Sequence, residues 1–166
     1  MTLADFTSAN LIIPHLRSHD ASGVILELSQ ALQREHRLPE SLPFYDAVLK
    51  RESLASTEME AGIALPHARL PGLSETCFAF GRSDNALAWS TGRAPSVRIV
   101  FLLAGPEADC AGHLLLLSGL ARLAREDGLL GELRNAREAA QIFQILKTVQ
   151  LRANLAPPAA KASLSR

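Results

Sequence analysis

The amino-acid sequence predicts an α/β fold in which helices cover both faces of a sheet. Val97 to Leu103 is almost continuously apolar, the pattern of a strand buried on both sides, and such a strand needs a helical layer on each face. Cys77-Phe78-Ala79-Phe80 is a second apolar run, stopped by Gly81. Segments with helical periodicity precede and follow these runs. The chain has 166 residues, 48% of them hydrophobic, enough for one domain with a sizeable core.

In chain order, Leu11-Ile12-Ile13 is a short apolar run halted by Pro14, suited to a first strand. Asp20 to Ser22 offers N-cap residues for a helix with Val24, Leu28 and Ala31 on one face and Ile25 and Leu32 beside it. That helix ends before Pro39. A second begins around Ser41, with Pro43 in its first turn, and runs to about Arg51, burying Phe44, Ala47 and Val48. Between Glu52 and Gly72 the helical period is lost, and Ser, Thr, Gly and Pro predict an irregular loop interrupted by a short strand at Ile63-Ala64-Leu65. After the two main strands, with a weaker one over Ala86 to Trp89, the Gly105-Pro106 turn leads to a helix from near Gly112 to about Arg125. Leu116, Leu120 and Leu123 are among its apolar positions. Gly128 and Gly131 mark a short helix. Asn135 and Glu138 have capping-box spacing and open a last helix with Ile142, Ile145, Leu146 and Val149 on one face. The expected domain is 1–152; the composition from Ala153 onward predicts a disordered tail over 153–166.

Charge and composition exclude several functions. Lys+Arg and Asp+Glu are both 17, so the basic excess that usually accompanies nucleic-acid binding is absent. No apolar run approaches a membrane span, and the N-terminus lacks a signal peptide's basic start and apolar stretch, so a cytoplasmic protein is expected. Cys77 and Cys110 form no CxxC pair and read as free thiols.

Of the five histidines, His15, His19 and His36 sit beside turns or on polar helix faces and are expected in solvent. His67 follows the short strand and Pro66, a stop that can hold an imidazole at the lip of a sheet, where α/β folds bind ligands. His113 falls in the first turn of the Leu-rich helix. There the unpaired N–H groups and the dipole favour an anion and disfavour a charged imidazole. Arg51, Ser56 and Thr57 could supply charge and hydrogen bonds to a phosphoryl group, which asks for positioning and neutralisation. Equally, Arg51 could close its helix and Ser56 and Thr57 could cap a turn. Cys110-Ala-Gly-His113 has a spacing that could bind zinc, but a structural site needs four ligands and no second pair is present; no metal or cofactor is expected.

Arg51-Glu52, Ser56-Thr57 and Gly62-Ile63-Ala64-Leu65-Pro66-His67 together resemble the signature of phosphotransferase-system IIA domains of the fructose/mannitol type. The apolar strand Val97 to Leu103 followed by His113-Leu114 matches the same family in order and separation. Ala68 stands where many members have Gly. The resemblance covers roughly residues 5 to 150, and it implies a mixed sheet between helical layers. It also implies that His67 accepts a phosphoryl group, at Nε2, from the phosphocarrier HPr, and that His113 lies beside it to bond the phosphate or the imidazole. Arg51 would balance charge, with Ser56 and Thr57 near the active histidine. No cofactor is implied. A lone domain leans toward the nitrogen-regulatory branch, which controls partner proteins by its phosphorylation state; the alternative is a sugar-specific component passing phosphate to a IIB protein.

Around His67 a docking face for HPr could draw on Leu70, Leu73 and Met59 as an apolar centre and Glu58, Glu60 and Glu75 as an acidic rim. Inward packing of the leucines and ordinary solvation of the glutamates is the competing expectation.

Overall fold

The computed structural model describes residues 1–152, so the tail expected over 153–166 lies outside the described residues. Two 3-10 turns, Leu3–Phe6 and Ala9–Leu11, lead into strand β1 (Ile12–Ile13). The first turn is pinned where the Asp5 carboxylate accepts the Thr2 N–H at 2.7 Å. Helices α1 (Ala21–Arg34) and α2 (Ser41–Leu54) follow. Asp20 caps α1 by accepting the Gly23 N–H at 2.7 Å, as an N-cap aspartate does. The chain leaves α1 through His36, whose positive φ of 58° is the left-handed C-terminal turn.

Next come three short strands: β2 (Glu58–Met59), β3 (Ile63–Ala64) and β4 (His67–Leu70). The long strands β5 (Cys77–Leu87) and β6 (Val97–Pro106) form the centre of the sheet. Helices α3 (Cys110–Leu123), α4 (Asp127–Asn135) and α5 (Ala139–Lys147) complete the described chain. The strand order is β1-β5-β6-β3-β2, and β4 also pairs with β6, giving a six-stranded sheet. β6 is antiparallel to β5 and parallel to both β3 and β4, so the sheet is mixed, as expected.

The apolar run of β6 is buried on both faces because its side chains alternate between two cores. Ile99, Phe101 and Leu103 enter one with Phe78 and Phe80 of β5 and with α3, α4 and α5. Val100, Leu102 and Ala104 enter the other, beneath α1 and α2. Phe101 meets Phe78 and Phe80 edge-on, with ring centroids 5.5 and 5.1 Å apart, the favoured geometry for aromatic pairs.

The structure corrects three expectations. The stretch 52–72 is not mainly loop: β2 and β4 flank the short strand, and β4 escaped notice because an edge strand four residues long carries little periodicity. The weaker strand over 86–89 is largely the end of β5, displaced by a register shift between Arg82 and Leu87. Asn135 ends α4 instead of opening α5, whose N-cap is Glu138 with no side-chain cap bond. The residues around 135 have capping-box spacing, but Ala136 turns the backbone to an extended φ, ψ of −73° and 122° first.

Candidate functional site

Pro66 separates β3 from β4, yet both halves lie along the same neighbour, β6, with Ile63 opposite Ile99 and His67 opposite Leu103. The Pro66 carbonyl accepts the Leu103 N–H at 3.0 Å, so the proline sits on the sheet with no N–H lost to pairing. This fixes His67 as the first residue of β4. Its Nδ1 lies 2.8 Å from the Leu65 carbonyl oxygen. A carbonyl only accepts, so Nδ1 carries the proton and Nε2 keeps the lone pair in the neutral ring.

His113 arrives from the other side of the same strand end. β6 turns at Pro106, and Asp109 caps α3 by accepting the Gly112 N–H at 3.0 Å and the Thr76 hydroxyl at 2.6 Å. These two bonds hold the Asp109 carboxyl below its ordinary pKa, the Thr76 contact contributing most. One turn into α3, the His113 ring centroid stands 5.2 Å from that of His67, the planes tilted by 55°. His113 is buried at 6% exposure, and its Nδ1 has no hydrogen-bond partner among the described residues. Burial pushes its pKa down from 6.5 to about 4, with the charges of His67 and Arg69 acting in the same direction. His113 is therefore uncharged at neutral pH. An unpartnered buried nitrogen costs least as a lone pair, which leaves the proton on Nε2 as a donor.

The structure thus brings His67 and His113 together, and it gives the other candidates local partners. Arg51 donates from Nη1 to the Ala55 carbonyl at 3.0 Å, closing the end of α2, and makes no hydrogen bond or ion pair to either histidine among the described residues. The Ser56 hydroxyl meets that of Ser90 at 2.6 Å and accepts the Glu58 N–H at 3.1 Å. Thr57 binds Glu52 through its N–H at 3.1 Å and also through its hydroxyl.

Two residues beside the histidines went unread in the sequence. Asp109 has the signal of an N-cap, an acid three residues before a glycine at a helix start. Arg69 lies two positions past His67, and strand alternation would have put them on one face, had 66–72 been read as a strand. Its Nη1 donates to the Glu107 carbonyl at 3.2 Å and to the Cys110 Sγ at 2.9 Å. Among the described residues no group of three or more His, Cys, Asp or Glu could hold a metal.

His15, His19 and His36 are exposed, His15 meeting Asp84 and the Arg137 carbonyl, both at 3.0 Å. The docking face turns out otherwise than its acidic-rim version. Leu70 and Leu73 pack against the core under α1 and α2, and Met59 against the other. The Glu58 side chain, at 0% exposure, accepts the Ser96 hydroxyl at 3.1 Å. Glu75 pairs with Arg37 at 2.9 Å, and Glu60 alone of the three is an unpaired exposed charge among the described residues.

Among the described residues no helix is long and apolar enough to cross a membrane. In comparison with known proteins, the chain is 31% identical over 146 residues to a nitrogen regulatory protein of Bradyrhizobium diazoefficiens, covering 88% of this chain and 95% of that one. It is 27% identical over 146 residues to the fructose-specific EIIABC component of Bacillus subtilis, covering 88% of this chain but 23% of that larger protein. In fold it superposes on the nitrogen regulatory protein IIA-Ntr of Neisseria meningitidis with a TM-score of 0.75 at 23% identity, over 87% of this chain and 98% of the other. Residues 5–149, which include both histidines and every strand of the sheet, match the family described as phosphoenolpyruvate-dependent sugar phosphotransferase system, EIIA 2, and to that family the chain belongs.

Proposed function

We propose that this protein is a phosphocarrier that takes a phosphoryl group from an HPr-type carrier onto Nε2 of His67, and that its phosphorylation state governs binding to regulatory partners. The observation that carries this reading is the oriented imidazole pair. His67 is held by the Leu65 carbonyl through Nδ1, and His113 stands 5.2 Å away. In the transfer, the Nε2 lone pair of His67 forms the bond to phosphorus as the N–P bond of the donor phosphohistidine breaks. The donor imidazole, protonated on its other nitrogen, leaves neutral. The proton on His67 Nδ1 stays where the Leu65 carbonyl holds it, so the product is a phosphoimidazolium, its ring taking on the positive charge that the donor ring gives up. A neutral His113 donates from Nε2 to a phosphoryl oxygen. Such a donor is worth more in the transition state than in water. Arg51, near the end of α2, would join by releasing the Ala55 carbonyl, and Ser56 and Thr57 would order the loop that follows it.

The regulatory reading is favoured by similarity along nearly the full length of a nitrogen regulatory protein. The sugar-specific reading, with transfer onward to a IIB protein, is supported by the match to a fructose-specific component. Incubation with phosphoenolpyruvate, enzyme I and HPr should yield one acid-labile phosphate, mapped to His67 by mass spectrometry. His67→Ala should remove it without altering the circular dichroism spectrum, and His113→Ala should slow transfer about a hundredfold. A His67→Ala protein that still takes up one imidazole-bound phosphate would overturn the assignment. Rapid discharge to a fructose- or mannitol-type IIB would favour the sugar-specific reading.

A further inference from the structure

The phosphoryl site needs a cation, because the group carries negative charge on its oxygens before, during and after transfer. Arg51, the guanidinium the sequence singles out, is bonded to the Ala55 carbonyl at the end of α2 and joins only by releasing it. The side chain of His67 points away from the core beneath α1 and α2. The alternation along β4 makes this plain: Ala68 and Leu70 enter the core beneath α1 and α2, while the His67 ring meets His113 of α3. Arg69 shares the His67 face, about 7 Å further along the strand, and reaches the same helix start, at the Glu107 carbonyl and Cys110 Sγ.

We propose that Arg69 is a second cation, beside Arg51, that meets the phosphoryl group on His67, held ready by the Cys110 thiol and the Glu107 carbonyl. This rests on the phosphocarrier reading and adds to it a residue and a holding device. The two contacts engage only Nη1. Nε and Nη2 have no hydrogen-bond partner among the described residues, and the residue is exposed. A guanidinium with a free edge can take two phosphoryl oxygens side by side, a geometry a lysine does not offer. The partners that hold Nη1 are a carbonyl and a thiol, neither a carboxylate, so its positive charge is not spent on an internal ion pair. Its influence already reaches His113, where the Arg69 charge opposes protonation beside those of burial and His67. One side chain therefore favours the incoming dianion and adds to the burial that keeps the neighbouring imidazole neutral.

The test uses the full chain, with phosphorylation by HPr, enzyme I and phosphoenolpyruvate followed by rapid quench. Arg69→Ala should lower the rate about a hundredfold, and Arg69→Lys should restore part of the loss. NMR titration of the unphosphorylated proteins supplies a reading independent of transfer. Removing Arg69 should move the His113 midpoint upward, and Lys should move it back. Cys110→Ala should lower the rate less than Arg69→Ala, because it loosens the guanidinium without removing it. If wild-type protein takes up phosphate on His67 and Arg69→Ala does so equally fast, Arg69 does not meet the phosphoryl group and the phosphocarrier reading stands. If wild-type protein takes up none, both fall. A rate loss in Arg69→Ala with no recovery in Arg69→Lys and an unmoved His113 midpoint also overturns the proposal, since it marks a merely structural effect.

Discussion

His113 is the residue whose environment says most about the site. It is buried in the first turn of α3 next to another imidazole and close to a guanidinium, three influences that all oppose its protonation. In the folded chain its pKa is about 4, against 6.5 for the free group, so between those values the unfolded chain binds a proton that the folded chain refuses. Stability must then rise with pH across this window and be lost as pH falls from about 6.5 toward 4. Thermal melts near neutral pH and at about pH 5 should show a steeper fall for the wild type than for His113→Gln, which has no proton to gain. Parallel curves would mean that folding leaves the proton affinity of His113 unchanged. Cys77 shows the same burial effect with the opposite sign, its thiol raised to about 11 between the sheet and α1 and α2. It is inert as a nucleophile at neutral pH.

At the scale of elements, the position of His67 depends on a turn. Gly62 connects β2 to β3 with φ of 77°, and a Cβ there would stand 2.7 Å from the Ser96 carbonyl oxygen. Its own carbonyl accepts N–H groups from Arg98 and Ile99, which sets the register of β3, and so of β4, on β6. Gly62→Ala should cost about 1–3 kcal/mol in chemical denaturation, from left-handed strain and the forced contact together. Glu58, on β2, ties that edge to the segment before β6. Glu58→Lys should lower Tm by roughly 5 °C or more, so it is unsuitable as a probe of electrostatic steering, whereas Glu60→Lys tests that cleanly. How far such elements can be read from sequence depends on how much periodicity they carry. The apolar run of β6, the N-cap of α1 and the helical stripes of α3 and α5 are legible because burial of one or both faces repeats over many residues. β4 and β2 are too short to repeat, and the end of β5 is polar because Asp84 and its neighbours reach solvent. The two histidines were legible through the pattern around them. Arg69 was not, because its significance lies in which face of β4 it occupies, and that is known only once β4 is recognised as a strand. Arg51 stood out in the sequence, and its Nη1 bonds the Ala55 carbonyl at the end of α2.

Across the whole molecule, the two sheet faces divide the labour. The core under α1 and α2 backs the strands, and the core under α3 to α5 carries the helix that presents His113. A chain ending at Arg152 should keep its Tm and its phosphorylation within experimental error, because the core members of the described chain stop at Leu151. Ending the chain before Leu151 should not be tolerated so well. Leu151 is 9% exposed, packs in the core with Leu3, and touches Gly119 of α3, where a Cβ would stand 2.1 Å from its side chain. Its N–H is bonded to the Met1 carbonyl at 2.9 Å, and Thr2 pairs with Gln150 in an antiparallel bridge. That clasp joins residues almost the whole described chain apart, and during synthesis it has consequences for order of assembly. Residues 1–3 have no mate until residues 149–151 follow them from the ribosome, while β5 and β6, separated by one short connection, can pair early. The underside of α3 is then the last surface to be sealed. Amide exchange at Leu3 and Leu151 should therefore share one opening rate, faster than that of Phe101 at the centre of the sheet.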